Sequence, residues 1–354
     1  MEKIEELQKE NELLSTRLKA VEDTVIEYKN LFHSIMEQLR LISHVMSKRD
    51  EINVLEHEAL RATENNLPFE MGDPRKQDFE FYYPTIIDAE TSIQQIIDGR
   101  KSIARFGDGE FAIICGWIRH AFQKFDDGLA KRLKQVLQSD LKNLMIGIAD
   151  NYGNLDRFTV DARDGIRQYM QEEVRKQHMQ LLSKDKVYYD AYLSRPYVIH
   201  KDHFTDAPKK RFDHLKQIWA NRDVIMVEGV QTRLGVGNDL FDGCKSVRRI
   251  LIPARDAFSR YQEILDAALK AGKQDDLFLL AAGPTAGVLA YDLTLEGFQA
   301  VDIGHVDIEY EWFLKGTGKR ESICYKYTNE IPGGEAAEDI QDPVYESQII
   351  GVYS

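Results

Sequence analysis

Cysteine is scarce in this chain: Cys115, Cys244 and Cys324 are the three among 354 residues, and no two of them share a CxxC spacing. Neither a disulfide framework nor a thiolate zinc site is expected from them, and a reducing compartment, the cytoplasm, fits best. Long apolar runs are missing as well. No stretch reaches the about 18 apolar residues of a membrane span, and the opening MEKIEELQKE carries charge throughout instead of a signal peptide's apolar segment. A soluble protein is expected, or one held at the inner face of the cell membrane through its acceptor or a partner enzyme. Positive charge is also in deficit. With 46 Lys and Arg against 59 Asp and Glu, the net charge is −13 and the pI about 5.3. Nucleic-acid binding, which draws its affinity from clustered Lys and Arg, is therefore not expected. Small phosphates stay within reach, because a metal ion and backbone amides supply positive charge locally.

Glycine and proline are absent from the first 50 residues, and these lie on a heptad without a break. Position a takes Ile4, Asn11, Leu18, Val25, Phe32, Leu39 and Met46; position d takes Leu7, Leu14, Val21, Tyr28, Ile35 and Ile42. A 3.5-residue apolar period implies a left-handed coiled coil, since only supercoiling keeps such a stripe on a partner helix. Asn11 at an a position favours a parallel two-stranded register, so a homodimer through residues 1–50 is expected. The plainer alternative is an amphipathic helix lying on its own domain. Residues 51–84 lose the heptad, turn polar and contain Pro68, Gly72 and Pro74, the pattern of a linker or docking arm.

What is present, with 43% apolar residue types, suffices for one large α/β domain beside this appendage. Between residues 85 and 330, short apolar runs alternate with helical patterns. Strands are expected at Ser102–Phe106, Leu144–Ile148, Val224–Glu228, Arg249–Ile252, Leu277–Ala281 and Ala300–Ile303. Helices are expected at Ala207–Asn221, Asp256–Ala271, Thr285–Leu295 and Val306–Leu314. Repeated strand–loop–helix order implies a Rossmann-like, mostly parallel sheet with flanking helices, with ligands beyond the strands' carboxyl ends. Five loops would share that rim: Gly107–Glu110, Gly229–Asp239, Pro253–Arg255, Gly283–Thr285 and Gly304–Asp307.

In AAGPTAG, Pro284 opens a helix after Gly283, so free N–H groups and a positive dipole end face the rim, which suits a phosphate; a tight helix start is the bland alternative. The loop EGVQTRLGVGND is neither a Walker loop nor a GxGxxG followed by an acid about 20 residues on, so an ordinary NTPase or dinucleotide site is not indicated. In RFGDGE, Asp108 and Glu110 stand two apart at a strand end, where glycines can bend both toward one space. Two carboxylates plus a diphosphate and water is how Mg²⁺ or Mn²⁺ is commonly held; a solvated acidic turn is the alternative. In DIGHVDIEY, Asp302, His305, Asp307 and Glu309 crowd the end of an apolar strand, where unpaired charge is costly unless it meets a ligand, metal or partner.

RFGDGEF (105–111), GPTAGVLAYDL (283–293) and DIGHVDIEY (302–310), in that order, resemble the bacterial GT-D fold glycosyltransferases, once a domain of unknown function and first recognised in adhesin glycosylation. The resemblance covers roughly residues 85–330, not the heptads or the 331–354 tail. It implies a GT-D type α/β domain that binds a nucleotide-diphosphate sugar, with the family's DxE motif falling on Asp108 and Glu110. On that reading Mn²⁺ or Mg²⁺ sits between these acids and the phosphates of a UDP-sugar, of the UDP-glucose or UDP-N-acetylhexosamine type. Arg105 and Arg233 add charge stabilisation, the Gly283, Pro284 and Thr285 backbone cradles a phosphate, and His305 or Asp307 orients the sugar or takes the proton of a glycan acceptor. Phe106, Gly107, Gly109, Thr232, Asn238, Arg255 and Asp302 complete the expected donor contacts. Two other classes stay open: a non-catalytic sugar-nucleotide-binding scaffold recruiting partners through the rod, and a metal-dependent phosphohydrolase using the same acids.

Overall fold

The structure, a computed structural model, describes residues 2–46, 50–72, 81–117, 123–328, 330–331, 333–334 and 337–353. The chain divides into two compact units, Met1–Thr63 and Glu64–Ser354.

The first unit holds α1 (Glu2–Met46) and most of α2 (Asp50–Glu70). On α1 the heptad residues Leu14, Leu18, Val21, Val25, Tyr28, Phe32, Ile35 and Leu39 are all exposed, so no other described part of this unit covers the apolar stripe. Ile4, Leu7, Ile42 and Met46 lie outside the residues whose side chains are described. Residues 51–70, expected as linker or arm, are helical, with Pro68 in the last turn. Positions 73–80 of that segment lie outside the described residues.

In the second unit the end of α2 docks on α6 (Val160–Tyr169) and α7 (Glu172–Leu181). Glu70 meets Arg167 through two hydrogen bonds of 2.7 and 2.8 Å, Asn66 donates to Arg167 O at 3.0 Å, and Arg175 donates back to Asn66. The remaining elements are β1 (Thr85–Ile87), α3 (Ala89–Gly99), β2 (Ser102–Phe106), α4 (Asp108–Ile114), α5 (Asp127–Leu137), β3 (Leu144–Ile148), β4 (Val187–Asp190), α8 (Ala207–Trp219), β5 (Asp223–Gly229) and β6 (Ser246–Ile252). They continue with α9 (Tyr261–Ala271), β7 (Leu277–Ala281), α10 (Pro284–Leu295), β8 (Gln299–Asp302), α11 (Val306–Lys315), α12 (Pro343–Gln348) and β9 (Ile349–Val352).

Among the described residues nine strands form one sheet in the order β1-β4-β3-β2-β8-β7-β5-β6-β9, and every named pairing is parallel. Side chains alternate along the strands, so neighbours feed opposite cores. Ala104, Phe106, Ile225, Val227, Phe278 and Leu280 pack on one face with α4, α5, α9 and α10. Ile103, Val224, Met226, Leu277, Leu279 and Val301 pack on the other with α3, α8 and α11. Each large apolar side chain so buried contributes about 1.5–3 kcal/mol. The chain leaves β2 into α4 on the first face and leaves adjacent β8 into α11 on the second. That divergence opens a crevice between β2 and β8, the place where open parallel sheets bind ligands.

The expected strands at 102–106, 144–148 and 277–281 coincide with β2, β3 and β7, and the other three shift by one to three residues at their ends. The helix expected from Asp256 begins instead with a 3₁₀ turn, Ala257–Arg260, because Asp256 sits at φ +53°, outside helical space. The tail is not separate from the sheet: β9 runs parallel to β6, with Ile250 opposite Gly351.

Candidate active site

Along the carboxyl ends of the strands runs a cleft of about 860 Å³. All five loops expected at the rim contribute to it: Gly107–Glu110, Gly229 with Thr232, Pro253 with Ala254, Gly283 with Pro284, and Gly304 with His305. Segments that the sequence reading did not bring to the rim also line it, namely Asn151 after β3, Tyr192 and Arg195 after β4, α6, and Arg320, Thr328 and Glu330 after α11.

The acidic pair is built differently from a glycine-bent turn. Gly107 is extended, with φ −106°, and Asp108, Gly109 and Glu110 are already the first turn of α4. Glu110 folds back so that Oε2 accepts from Gly107 N–H at 2.7 Å, half of a capping box. Asp108, at the first helical position, is exposed in the cleft. Burial pushes the Glu110 carboxyl up to about 7, against the hydrogen bond from Gly107.

Next to it Arg105, from β2, crosses to β8. Its Nε donates to Asp302 O at 2.8 Å, Nη2 to Asp302 Oδ1 at 2.6 Å, and Nη1 to Ser194 Oγ at 2.6 Å. Asp302 Oδ1 also accepts from Gly304 N–H at 3.1 Å. Burial raises the Asp302 carboxyl, and Arg105 opposes that. His305, at the N-cap position of α11 without a side-chain capping bond, lies between Arg195, whose Nη2 is 3.3 Å from Nδ1, and Glu330, whose Oε1 is 3.1 Å from Nε2. Arg195 can only donate, so Nδ1 accepts and Nε2–H donates to Glu330.

Several expected donor contacts point elsewhere. Asp307 lines the cleft, but both of its carboxylate oxygens are occupied: Oδ1 by Gly235 N–H and Asn238 Nδ2, each at 2.9 Å, and Oδ2 by Lys326 Nζ at 2.6 Å. Asn238 is spent on this network and on Glu311. Glu309 Oε2 accepts from Tyr197 and Val198 N–H, and burial pushes its carboxyl up to about 7 while Arg195 opposes. Arg233 turns toward the C-terminal segment, donating to Tyr325 O and Glu338 O. Phe106 and Thr285 are fully buried and, with the exposed Arg255, lie outside the cleft lining. Conversely Asn151 Oδ1 and Thr328 Oγ1 are buried at the cleft with no hydrogen-bond partner among the described residues, acceptors suited to a polar ligand.

A family model described as "Glycosyltransferase GT-D fold" matches residues 103–331. The chain belongs to this family. The GT-D chain is 35% identical over 267 residues to "Probable glycosyl transferase Gly" of Streptococcus gordonii, an alignment covering 75% of this chain and 38% of that protein. It is also 35% identical over 268 residues to "Glycosyltransferase GlyD" of Streptococcus pneumoniae serotype 4, covering 74% of this chain and 31% of the relative. The matched part is thus well under half the length of either relative. Solved structures agree with the fold. One of domain of unknown function 1792, described as having a distinct glycosyltransferase fold, superposes with a TM-score of 0.72 at 32% identity, covering 77% of this chain and 96% of that one. Another, a glycosyltransferase of the same domain from Streptococcus sanguinis, gives 0.71 at 34% identity over 77% and 100% of the two chains. The rim of this GT-D domain carries all three motifs of the resemblance. Among the described residues no helix is long and apolar enough to cross a membrane.

Proposed function

We propose that this chain transfers a sugar from a UDP-sugar, of the UDP-glucose or UDP-N-acetylhexosamine type, to a growing glycan on a protein or lipid-linked acceptor. The observation that carries the reading is the acidic first turn of α4 at the β2–β8 crevice, inside a cleft large enough for a nucleotide sugar. The donor set suits Mn²⁺ or Mg²⁺ arriving with the substrate. Among the described residues no group of three or more His, Cys, Asp and Glu could hold a metal, whereas Asp108 with Glu110 offers two hard oxygens that phosphates and water would complete. When bound there, the ion supplies positive charge to the diphosphate as it leaves. Arg105, fixed by Asp302 and Ser194, adds charge beside it, and of the expected phosphate cradle Gly283 and Pro284 line the cleft where α10 opens. Of the two base candidates, Asp307 has both oxygens bonded and His305 has Nδ1 against Arg195 and Nε2 against Glu330, so either takes a proton only after giving up a partner.

The exposed heptad stripe of α1 supports a parallel homodimer, since a helix with that many solvated apolar residues gains by pairing. Two catalytic domains on one stalk would then meet a long glycan together, in the cytoplasm and at the membrane's inner face where the acceptor is lipid-linked. The test is incubation of the purified chain with a panel of UDP-sugars, Mn²⁺ and candidate acceptors. Acceptor-dependent release of UDP supports transfer; acceptor-independent release of phosphate, or binding without turnover, refutes it. Asp108→Asn and Glu110→Gln should each lower turnover at least about tenfold while leaving the thermal melt in place, and wild-type rates in either would remove the metal role.

A further inference from the structure

Glu330 reaches the cleft from the segment after α11 and is ringed by two guanidiniums and an imidazole. Its Oε2 accepts from Arg195 Nη1 at 2.8 Å, its Oε1 from Arg195 Nη2 and from His305 Nε2 at 3.1 Å, and Arg320 Nε lies 3.3 Å from Oε2. All four side chains line the cleft. The Arg195 side chain is 18% exposed and that of Arg320 46%, so the cluster runs from a buried fork out to solvent. The other acid nearby, Glu309, stands 3.7 Å from Arg195 and spends Oε2 on two backbone N–H groups. Two guanidiniums and an imidazole therefore converge on one carboxylate. Burial works against the charge on Glu330, but Arg195, and after it His305, outweigh burial and hold the carboxyl well below its usual range. Glu330 is thus an anion throughout the physiological range and no proton acceptor.

We propose that Arg195, His305 and Arg320 form a phosphoryl-binding subsite in which Glu330 is the resident anion, exchanged for the donor's diphosphate when the donor binds. The proposal rests on the cleft being the nucleotide-sugar site. An arginine fork accepts a carboxylate or a phosphoryl group with the same geometry, and a buried guanidinium left without either would be costly. The carboxylate keeps the empty cluster neutral enough to fold. A diphosphate, carrying more negative charge and more acceptor oxygens, displaces it, and the measured affinity is the difference between the two anions.

The experiment is calorimetric titration of the full chain with inorganic pyrophosphate in EDTA, so that no metal contributes. Glu330→Gln should bind pyrophosphate about tenfold more tightly than wild type, and Glu330→Asp, which keeps the charge, should stay near wild type. Arg320→Gln, at an exposed position that the fold tolerates, should weaken binding severalfold in the otherwise wild-type chain. Glu330→Gln binding no more tightly, with an unchanged melt, overturns the proposal; should that variant not fold, unchanged affinity in Arg320→Gln overturns it alone. The two readings separate cleanly. A gain in Glu330→Gln without any sugar transfer keeps the subsite and sinks the reaction, while transfer without that gain does the reverse.

Discussion

Gly304 governs the rim through the side chain it lacks. It sits at φ +45°, and a Cβ there would stand 2.0 Å from Arg105 Nη2. Gly304→Ala should therefore strain the backbone and push the Arg105 guanidinium off Asp302, a pair whose side chains are 15% and 5% exposed, and cost about 1–3 kcal/mol in urea unfolding. A wild-type unfolding midpoint would contradict that role. The sequence places Asp302, His305, Asp307 and Glu309 together, but it does not tell their duties apart. Their partners come from far along the chain: Arg105 is 197 residues from Asp302, Arg195 is 110 from His305, and even Lys326 is 19 from Asp307. Hence Asp307, both of whose oxygens are bonded within the fold, needs no ligand, whereas Glu309 is bonded through Oε2 alone and keeps Oε1 buried without a hydrogen-bond partner among the described residues, 3.7 Å from Arg195. Asn151, Thr328 and Glu330 carried no local signal, since an orphaned or guanidinium-ringed side chain is visible only once the fold closes around it.

Among the elements, those buried on both faces were the legible ones. β2, β3 and β7 read as apolar runs because helices cover the sheet on both sides, as parallel strands require. β1, β4 and β9 were not read, being three or four residues long and lying at or near the sheet's edges. α6 buries none of its residues fully, so its apolar stripe is faint, although it lines the cleft. The neighbouring α7 carries a titration test. His178 lies buried between Tyr152 OH, 2.8 Å from Nδ1, and Tyr169 OH, 2.9 Å from Nε2, and stacks on Phe111 of α4. Burial, and after it Arg175, lowers its pKa from 6.5 to about 3. The folded chain thus keeps His178 neutral where the unfolded chain binds a proton, so its contribution is complete above pH 6.5 and is lost as pH falls toward 3. By pH 4 the loss is about 3 kcal/mol, at about 1.4 kcal/mol per unit. Glu110 and Glu309, both raised, act in the opposite sense, so the comparison needs a variant. His178→Phe should be less stable than wild type at pH 7 yet lose less between pH 6.5 and 4; parallel pH profiles in urea melts would refute this.

For the molecule as a whole, the division at residue 63 separates a helical appendage from a sheet domain whose end of α2 is pinned by Glu70 and Asn66. Removing residues 1–50 leaves that anchor in place. Light scattering should then report a dimer for the full chain and a monomer for the truncated one, with the melt of the sheet domain preserved; an unchanged mass would remove the pairing. In this acidic chain, positive charge at the rim is local: Arg105, Arg195 and Arg320 line the cleft, and the proposed reaction adds an ion entering with its substrate. The most direct measurement is a crystal structure of the chain with UDP and Mn²⁺, with the metal located by anomalous scattering. The ion should appear between the Asp108 and Glu110 carboxylates and both phosphates, at the β2–β8 crevice. Nucleotide and metal bound elsewhere, with those two acids facing bulk water, would contradict the account.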